Sequence, residues 1–185
     1  VEPTVEAQEV APQKPIDFAA LKAENPDLYA WIYVPNTNVN LPVAQRAGDD
    51  FFYLDHDYRG NYAVEGAVFS QMANAKDFTD PVTVLYGHNT VNDGMFATLH
   101  SFEDPAFFAA NEAFYVYIPG HILTYRVVAA YEYDDRHILN SFDFADSVVR
   151  ENYFASVLAP DDLQANVREG IALNAESKLV QLSTC

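Results

Sequence analysis

A mainly-β domain, either a closed barrel or a sandwich, opened by one or two short helices, is the fold class this sequence predicts. Three observations lead there. The runs "WIYVP", "NVNLPVA", "DFFYLDH", "GAVFSQ", "PVTVLYG", "AFYVYIP" and "ILTYRVVAAYEY" are short, rich in β-branched and aromatic residues, and separated by Asn, Asp, Gly and Pro. Half of the 185 residues are hydrophobic, with 13 Phe and 12 Tyr, enough to bury a sizeable core in one domain. No internal repeat is evident.

Val1 to Pro15, "VEPTVEAQEVAPQKP", is rich in Pro and Glu and poor in large apolar residues, the composition of an extended linker or stalk. The folded domain is expected over residues 16–185. From Asp17 the pattern is helical: "DFAALKAENPDLYAW" puts Phe18, Leu21 and Leu28 on a recurring face, with Asp17 as cap and Pro26 as interruption. After Trp31 the β texture takes over. Two helical inserts break it, a short one near Met95 to Phe102 and a longer one within Phe142 to Leu158, where Val148, Val149, Phe154 and Leu158 recur at helix-compatible spacing. Asp162 to Ala172 is expected to form a further helix. The segment "KLVQLST", Lys178 to Thr184, reads as a last strand with Leu179 and Leu182 on opposite faces, as in a strand buried on both sides.

With 27 acidic against 10 basic residues, the net charge of −17 argues against nucleic-acid or anionic-membrane partners and favours basic or neutral ones. No apolar run approaches membrane-spanning length. The first residue is not Met and no charged-then-apolar leader precedes it, so a targeting or anchoring segment is expected to lie outside this chain. One cysteine cannot form an intrachain disulfide; its thiol is core filler or a reactive group.

That cysteine, Cys185, sits beside Ser183 and Thr184 at the end of an apolar strand, where side chains emerge from a core. His88 occupies a matching place: the apolar run of "VTVLYGHNTVNDGMF" ends abruptly in Gly-His-Asn before a turn-rich loop. Two strand-end residues of this kind can converge as nucleophile and proton partner. His56, between two aspartates in "FYLDHDYRG", is better suited to an ion pair or a turn hydrogen bond, and His100, His121 and His137 are expected on the solvated surface. No Cys-x-x-Cys or His-Glu-x-x-His spacing, Gly-rich phosphate loop or Gly-x-Ser-x-Gly elbow is present, so no metal or cofactor is expected. The pairs Asp49/Asp50, Asp134/Asp135 and Asp161/Asp162 fall in loops, as solvated turn residues do.

In order, "WIYVPNTNVNLPVAQ", "FFYLDHDYRG", "GAVFSQ", "DFTDPVTVLYGHNTVNDGMFATLHSFEDPAFF" and "LVQLSTC" resemble the class B sortases, membrane-anchored cysteine transpeptidases of Gram-positive bacteria. The resemblance spans Asp17 to Cys185. It implies a closed eight-stranded β-barrel with N-terminal helices and a long helix, matched by Asp143 to Leu158, before the cysteine-bearing strand. It also implies Cys185 as nucleophile and His88 as proton partner, with Ser183, Thr184 and Asn89 as substrate-binding candidates beside them. The implied partners are a sorting-motif peptide of a surface protein or pilin and an amine from a cell-wall precursor or pilin lysine. The implied place is the extracellular face of the membrane, reached through an N-terminal anchor. Gln181 stands where the family usually has Thr.

The family's catalytic arginine lies on the strand after the cysteine, and none of Arg46, Arg59, Arg126, Arg136, Arg150 and Arg168 matches that position. The expectation is therefore that the natural polypeptide runs on for about 10 to 20 residues, a turn and one more strand, and that the chain ending at Cys185 transfers little or nothing. A papain-like protease is disfavoured, since its Cys precedes its His. The rival reading is an extracellular β-barrel that binds peptides or protein partners without turnover.

Overall fold

Asp17 caps the first helix, its carboxylate accepting from the Ala20 N–H at 3.0 Å. The structure is a computed structural model that describes residues 15–184. The linker expected over Val1–Pro15 lies outside the described residues except for Pro15, and so does Cys185. Helix α1 (Phe18–Glu24) ends at Asn25, ahead of Pro26. Strand β1 (Leu28–Tyr33) starts ahead of Trp31: Leu28 is no part of the helix, because Leu28, Ala30 and Ile32 alternate into the core. It pairs antiparallel with β2 (Asn40–Ala44) through Trp31↔Pro42.

The run "DFFYLDH", expected as a strand, instead makes a 3₁₀ turn over Phe52–Leu54. The reason is Tyr53, whose buried hydroxyl donates to Asp27 Oδ2 at 2.8 Å and accepts from Asn25 Nδ2 at 2.7 Å. Two hydrogen-bond partners 26 and 28 residues away outweigh the β preference of an aromatic run. Strand β3 (Val68–Phe69) runs parallel to β2, and β4 (Val82–Gly87) runs antiparallel to β3 with Phe69 opposite Tyr86.

A second 3₁₀ turn over Ala97–Glu103 matches the short helical insert, and α2 (Pro105–Ala110) follows, capped by Asp104 with proline at its first position. Strands β5 (Ala113–Ile118) and β6 (His121–Arg126) form a hairpin turned at Gly120, whose φ is +80°. After Arg126 the chain leaves the sheet: β7 (Ala129–Ala130), α3 (Ile138–Ser141), α4 (Ser147–Leu158) and β8 (Asn166–Val167) follow, with β7 and β8 paired to each other. The long helical insert is therefore α4, capped by Asp146. The helix expected over Asp162 to Ala172 does not form. Asn166 there donates to the Phe102 and Glu103 carbonyls, and the Arg168 guanidinium reaches the Val127, Phe108 and Asn111 carbonyls, bonds that require an extended chain.

The last strand, β9 (Leu179–Thr184), lies parallel to β4 in unbroken register from Val82↔Leu179 to Gly87↔Thr184. The fold is mainly β, and its principal sheet has the order β6-β5-β1-β2-β3-β4-β9. The closed eight-stranded barrel is not reached among the described residues. They form a curled half-barrel of seven strands, edged by β6 and β9, because the chain after β6 diverts into the separate two-stranded β7-β8 pair.

Inside the curl, Ile32, Val43, Val68, Leu85, Phe96, Phe114 and Val116 make one core. Outside it, Val82 and Val84 of β4 pack on Tyr153, Phe154 and Val157 of α4, each such side chain worth about 1.5–3 kcal/mol on burial. Strand β4 is thus buried on both faces. Leu179 of β9 joins the outer cluster and Leu182 the inner one, the opposite facing that the sequence predicts, although β9 is only half-buried at the sheet's edge. No helix among the described residues is long and apolar enough to cross a membrane.

Candidate active site

The end of β4 is fixed by a glycine. A Cβ on Gly87 would meet the buried Phe96 ring at 2.7 Å, so only hydrogen fits there. Phe96 in turn donates its N–H to the His88 carbonyl at 3.0 Å, which ties the residue after the strand to the core. The loop beyond is pinned by a bridge between Asn89 and Met95.

His88 is half-buried, and its Nε2 lies 2.7 Å from the Leu54 carbonyl oxygen. A carbonyl only accepts, so Nε2 carries the hydrogen and Nδ1 is the nitrogen left for proton transfer. The 3₁₀ turn that displaced the expected strand therefore orients the imidazole. Nothing in the sequence marked Leu54 for this, because the contact uses its main chain. Gly66, at φ +63°, backs onto the same turn: a Cβ there would come within 2.8 Å of the Leu54 oxygen.

The parallel register brings the other candidates to the same place. Ser183 lies beside Tyr86 and Thr184 beside Gly87, so His88 and Asn89 leave the sheet where Ser183 and Thr184 end it. Ser183 is half-buried; Thr184 and Asn89 are exposed. Cys185 follows Thr184 in the sequence and lies outside the described residues.

The other histidines divide. His56 shares its Nδ1 between Asp55 at 2.7 Å and the Phe52 carbonyl at 2.9 Å, the local pairing expected of it. His100 pairs with Glu103, and His121 is exposed. His137 is not the solvated residue expected: its Nε2 lies 2.7 Å from Gln71 Oε1, and its ring stands beside that of Tyr86. Gln181 takes a defined role as well, accepting from the hydroxyl of Tyr153 on α4. Burial among the neighbouring aromatics pushes that phenol well above its ordinary pKa, so the hydroxyl stays a donor. Among the described residues, no group of three or more His, Cys, Asp or Glu is placed to hold a metal ion.

No family model matches the chain. Among solved structures, the X-ray structure of Clostridium perfringens sortase B is 31% identical, covers 91% of each chain and superposes with a TM-score of 0.77. The chain belongs to the class B sortase family. A Streptococcus pyogenes class B sortase involved in pilus biogenesis is 27% identical over 92% of this chain and 90% of its own, with a TM-score of 0.77. Sortase B of Listeria monocytogenes is 29% identical over 167 residues, and the chain spans 65% of that relative's length. The parallel pairing of β4 with β9 puts the Tyr-Gly-His-Asn and Leu-Ser-Thr stretches at one end of the sheet.

Proposed function

We propose that this class B sortase is a cysteine transpeptidase in which Cys185 is the nucleophile and His88 its proton partner. One observation carries the reading: Gly87, which precedes His88, is the register partner of Thr184, which precedes Cys185. Side chains at paired positions of parallel strands leave the sheet on the same side.

In this reading the Cys185 thiolate attacks the carbonyl carbon of a threonine within a sorting-motif peptide, forming a thioester and breaking the peptide bond after it. His88, held through Nε2 by Leu54, gives a proton from Nδ1 to the departing amine. It then takes a proton from the incoming amine of a cell-wall precursor or pilin lysine, which attacks the thioester and restores the thiolate. Asn89, Ser183 and Thr184 line the approach to the reacting bond. The enzyme would work at the extracellular face of the membrane, where surface proteins meet the wall.

Iodoacetamide alkylation of Cys185 across pH tests the pairing. Wild type should react well below the pH of a free thiol, about 8.5, and His88→Ala should return the profile to that value. Identical profiles near 8.5 for both proteins would remove His88 from the reaction. Transfer itself is read by mass spectrometry, as a threonine-containing peptide joined to triglycine.

A further inference from the structure

The segment between β7 and α4 is tied to the connection between β3 and β4 by a polar link that is not local. His137 and Gln71 meet across 66 residues of sequence, Nε2 to Oε1 at 2.7 Å. Gln71 is only 4% exposed, so its oxygen has no water to turn to if that partner is lost. The second ring nitrogen is engaged too. Nδ1 accepts from the Asn140 backbone N–H at 3.3 Å and caps α3. A backbone N–H can only donate, so Nδ1 is the bare nitrogen, and the hydrogen on Nε2 is donated to Gln71.

This imidazole therefore does two separable jobs, one on each nitrogen: it starts α3 and fastens α3 to the connection between β3 and β4. Its position gives the fastening a consequence. Ile138, the next residue, is buried against Val82 and Val84 of β4, and the His137 ring stands 6.3 Å from that of Tyr86, which is stacked on Phe69. Val82, Val84 and Tyr86 alternate onto one face of β4, with Leu179, Gln181 and Ser183 beside them on β9. Val84 is covered, whereas Tyr86, Ser183 and His88 are half-buried, so the covering by α3 and α4 gives out beside the candidate site.

We propose that His137, through its bond to Gln71, is a positioning residue that seats α3 against Tyr86 and so forms the side wall for the acyl-donor peptide. The inference rests on the acyl-transfer reading above and deepens it: the wall governs how well the peptide is held, and the reacting groups are left as they are. Peptide affinity should then follow the His137–Gln71 bond and be indifferent to the cap.

Two conservative substitutions separate the nitrogens. His137→Gln places an amide N–H where Nε2 was and keeps the bond to Gln71; His137→Asn places a carbonyl where Nδ1 was and keeps only the cap. Kinetics are measured on the natural full-length protein, with triglycine as acceptor and, as donor, the best-cleaved member of a peptide library with threonine fixed and its neighbours randomised. His137→Ala and His137→Asn should raise KM about tenfold with kcat nearly unchanged, whereas His137→Gln stays near wild type. Amide hydrogen exchange at Ile138–Ser141 should quicken in the same order. A fall in kcat at constant KM, or His137→Asn performing as well as His137→Gln, overturns the proposal. If wild type turns over no peptide and its thiol alkylates as a free cysteine does, the acyl-transfer reading fails by itself. The exchange pattern then decides the seating of α3: equal protection in all variants would sink it.

Discussion

The ring of His88 is held by the main chain of Leu54, whose carbonyl oxygen accepts from Nε2 at 2.7 Å. Substituting the Leu54 side chain leaves that bond in place, so the sensitive position lies elsewhere. Gly66 combines φ +63° with a close approach to the Tyr53 and Leu54 carbonyls. Gly66→Ala should cost about 1–3 kcal/mol in backbone strain and, by shifting the Leu54 oxygen, lower transfer roughly tenfold to a hundredfold. Thermal unfolding and kcat/KM measured together check this, and an unchanged kcat/KM would show that Leu54 does not set the imidazole.

Arg168 is a polar anchor outside the site. Its side chain is 8% exposed, lies over the Phe108 ring and donates to the Val127, Phe108 and Asn111 carbonyls. Arg168→Met should destabilise the fold by about 1–3 kcal/mol, because it leaves partly buried carbonyls without partners. Arg168→Lys should recover less than half of that, since a single ammonium cannot reproduce the fork. Urea midpoints of the three proteins decide the ranking.

These two anchors also mark how far the sequence could be read. The runs that became β1, β2, β4, β5, β6 and β9 were legible, because their burial follows from alternation or from continuous apolar residues. Two misreadings of secondary structure share one cause. "DFFYLDH" turns because Tyr53 finds Asn25 and Asp27, and the segment after Asp162 stays extended because Arg168 and Asn166 find carbonyls far away. Partners remote in sequence leave no local pattern. The strand-end position of His88 was legible from its motif, whereas the Leu54 carbonyl and the Gln71 partner of His137 were not, being respectively a main-chain group and a residue in another part of the chain.

Tyr153→Phe isolates the contact between α4 and β9. It removes the hydroxyl bonded to Gln181 and keeps the ring in its cluster. The expected loss is about 1–2 kcal/mol. Adding Gln181→Leu should return part of it, because the orphaned acceptor is then gone. A double-mutant cycle with no coupling would show that the two residues merely sit together.

Asp162 gives a pH signature. Its carboxylate accepts from the Glu132 N–H at 2.9 Å and the Gln164 N–H at 2.8 Å, and these bonds hold its pKa below the usual carboxylate value. A lowered folded-state pKa stabilises the protein above the unfolded value of about 3.9, and the benefit fades as pH falls through the folded one. Asp162→Asn should therefore lower the urea midpoint at pH 7, with the gap to wild type closing below about pH 4. A gap that stays constant down to pH 2 would mean that charge has no part in holding this loop.

The parallel pairing of β4 with β9 bears on when the candidate site comes into being. The hairpins β1-β2 and β5-β6 close between near neighbours, but β4 must wait for the last described strand, across the whole of β5 to β8. Contacts of such long range form slowly and late. During synthesis, the loop bearing His88 leaves the ribosome long before Ser183 and Thr184 do, and no shorter fragment has their end of the sheet. Pairing at Gly87 and Thr184 is thus a late event: a partly folded chain has the His88 loop without Ser183 and Thr184 beside it, so the candidate site is assembled only when β9 docks on β4.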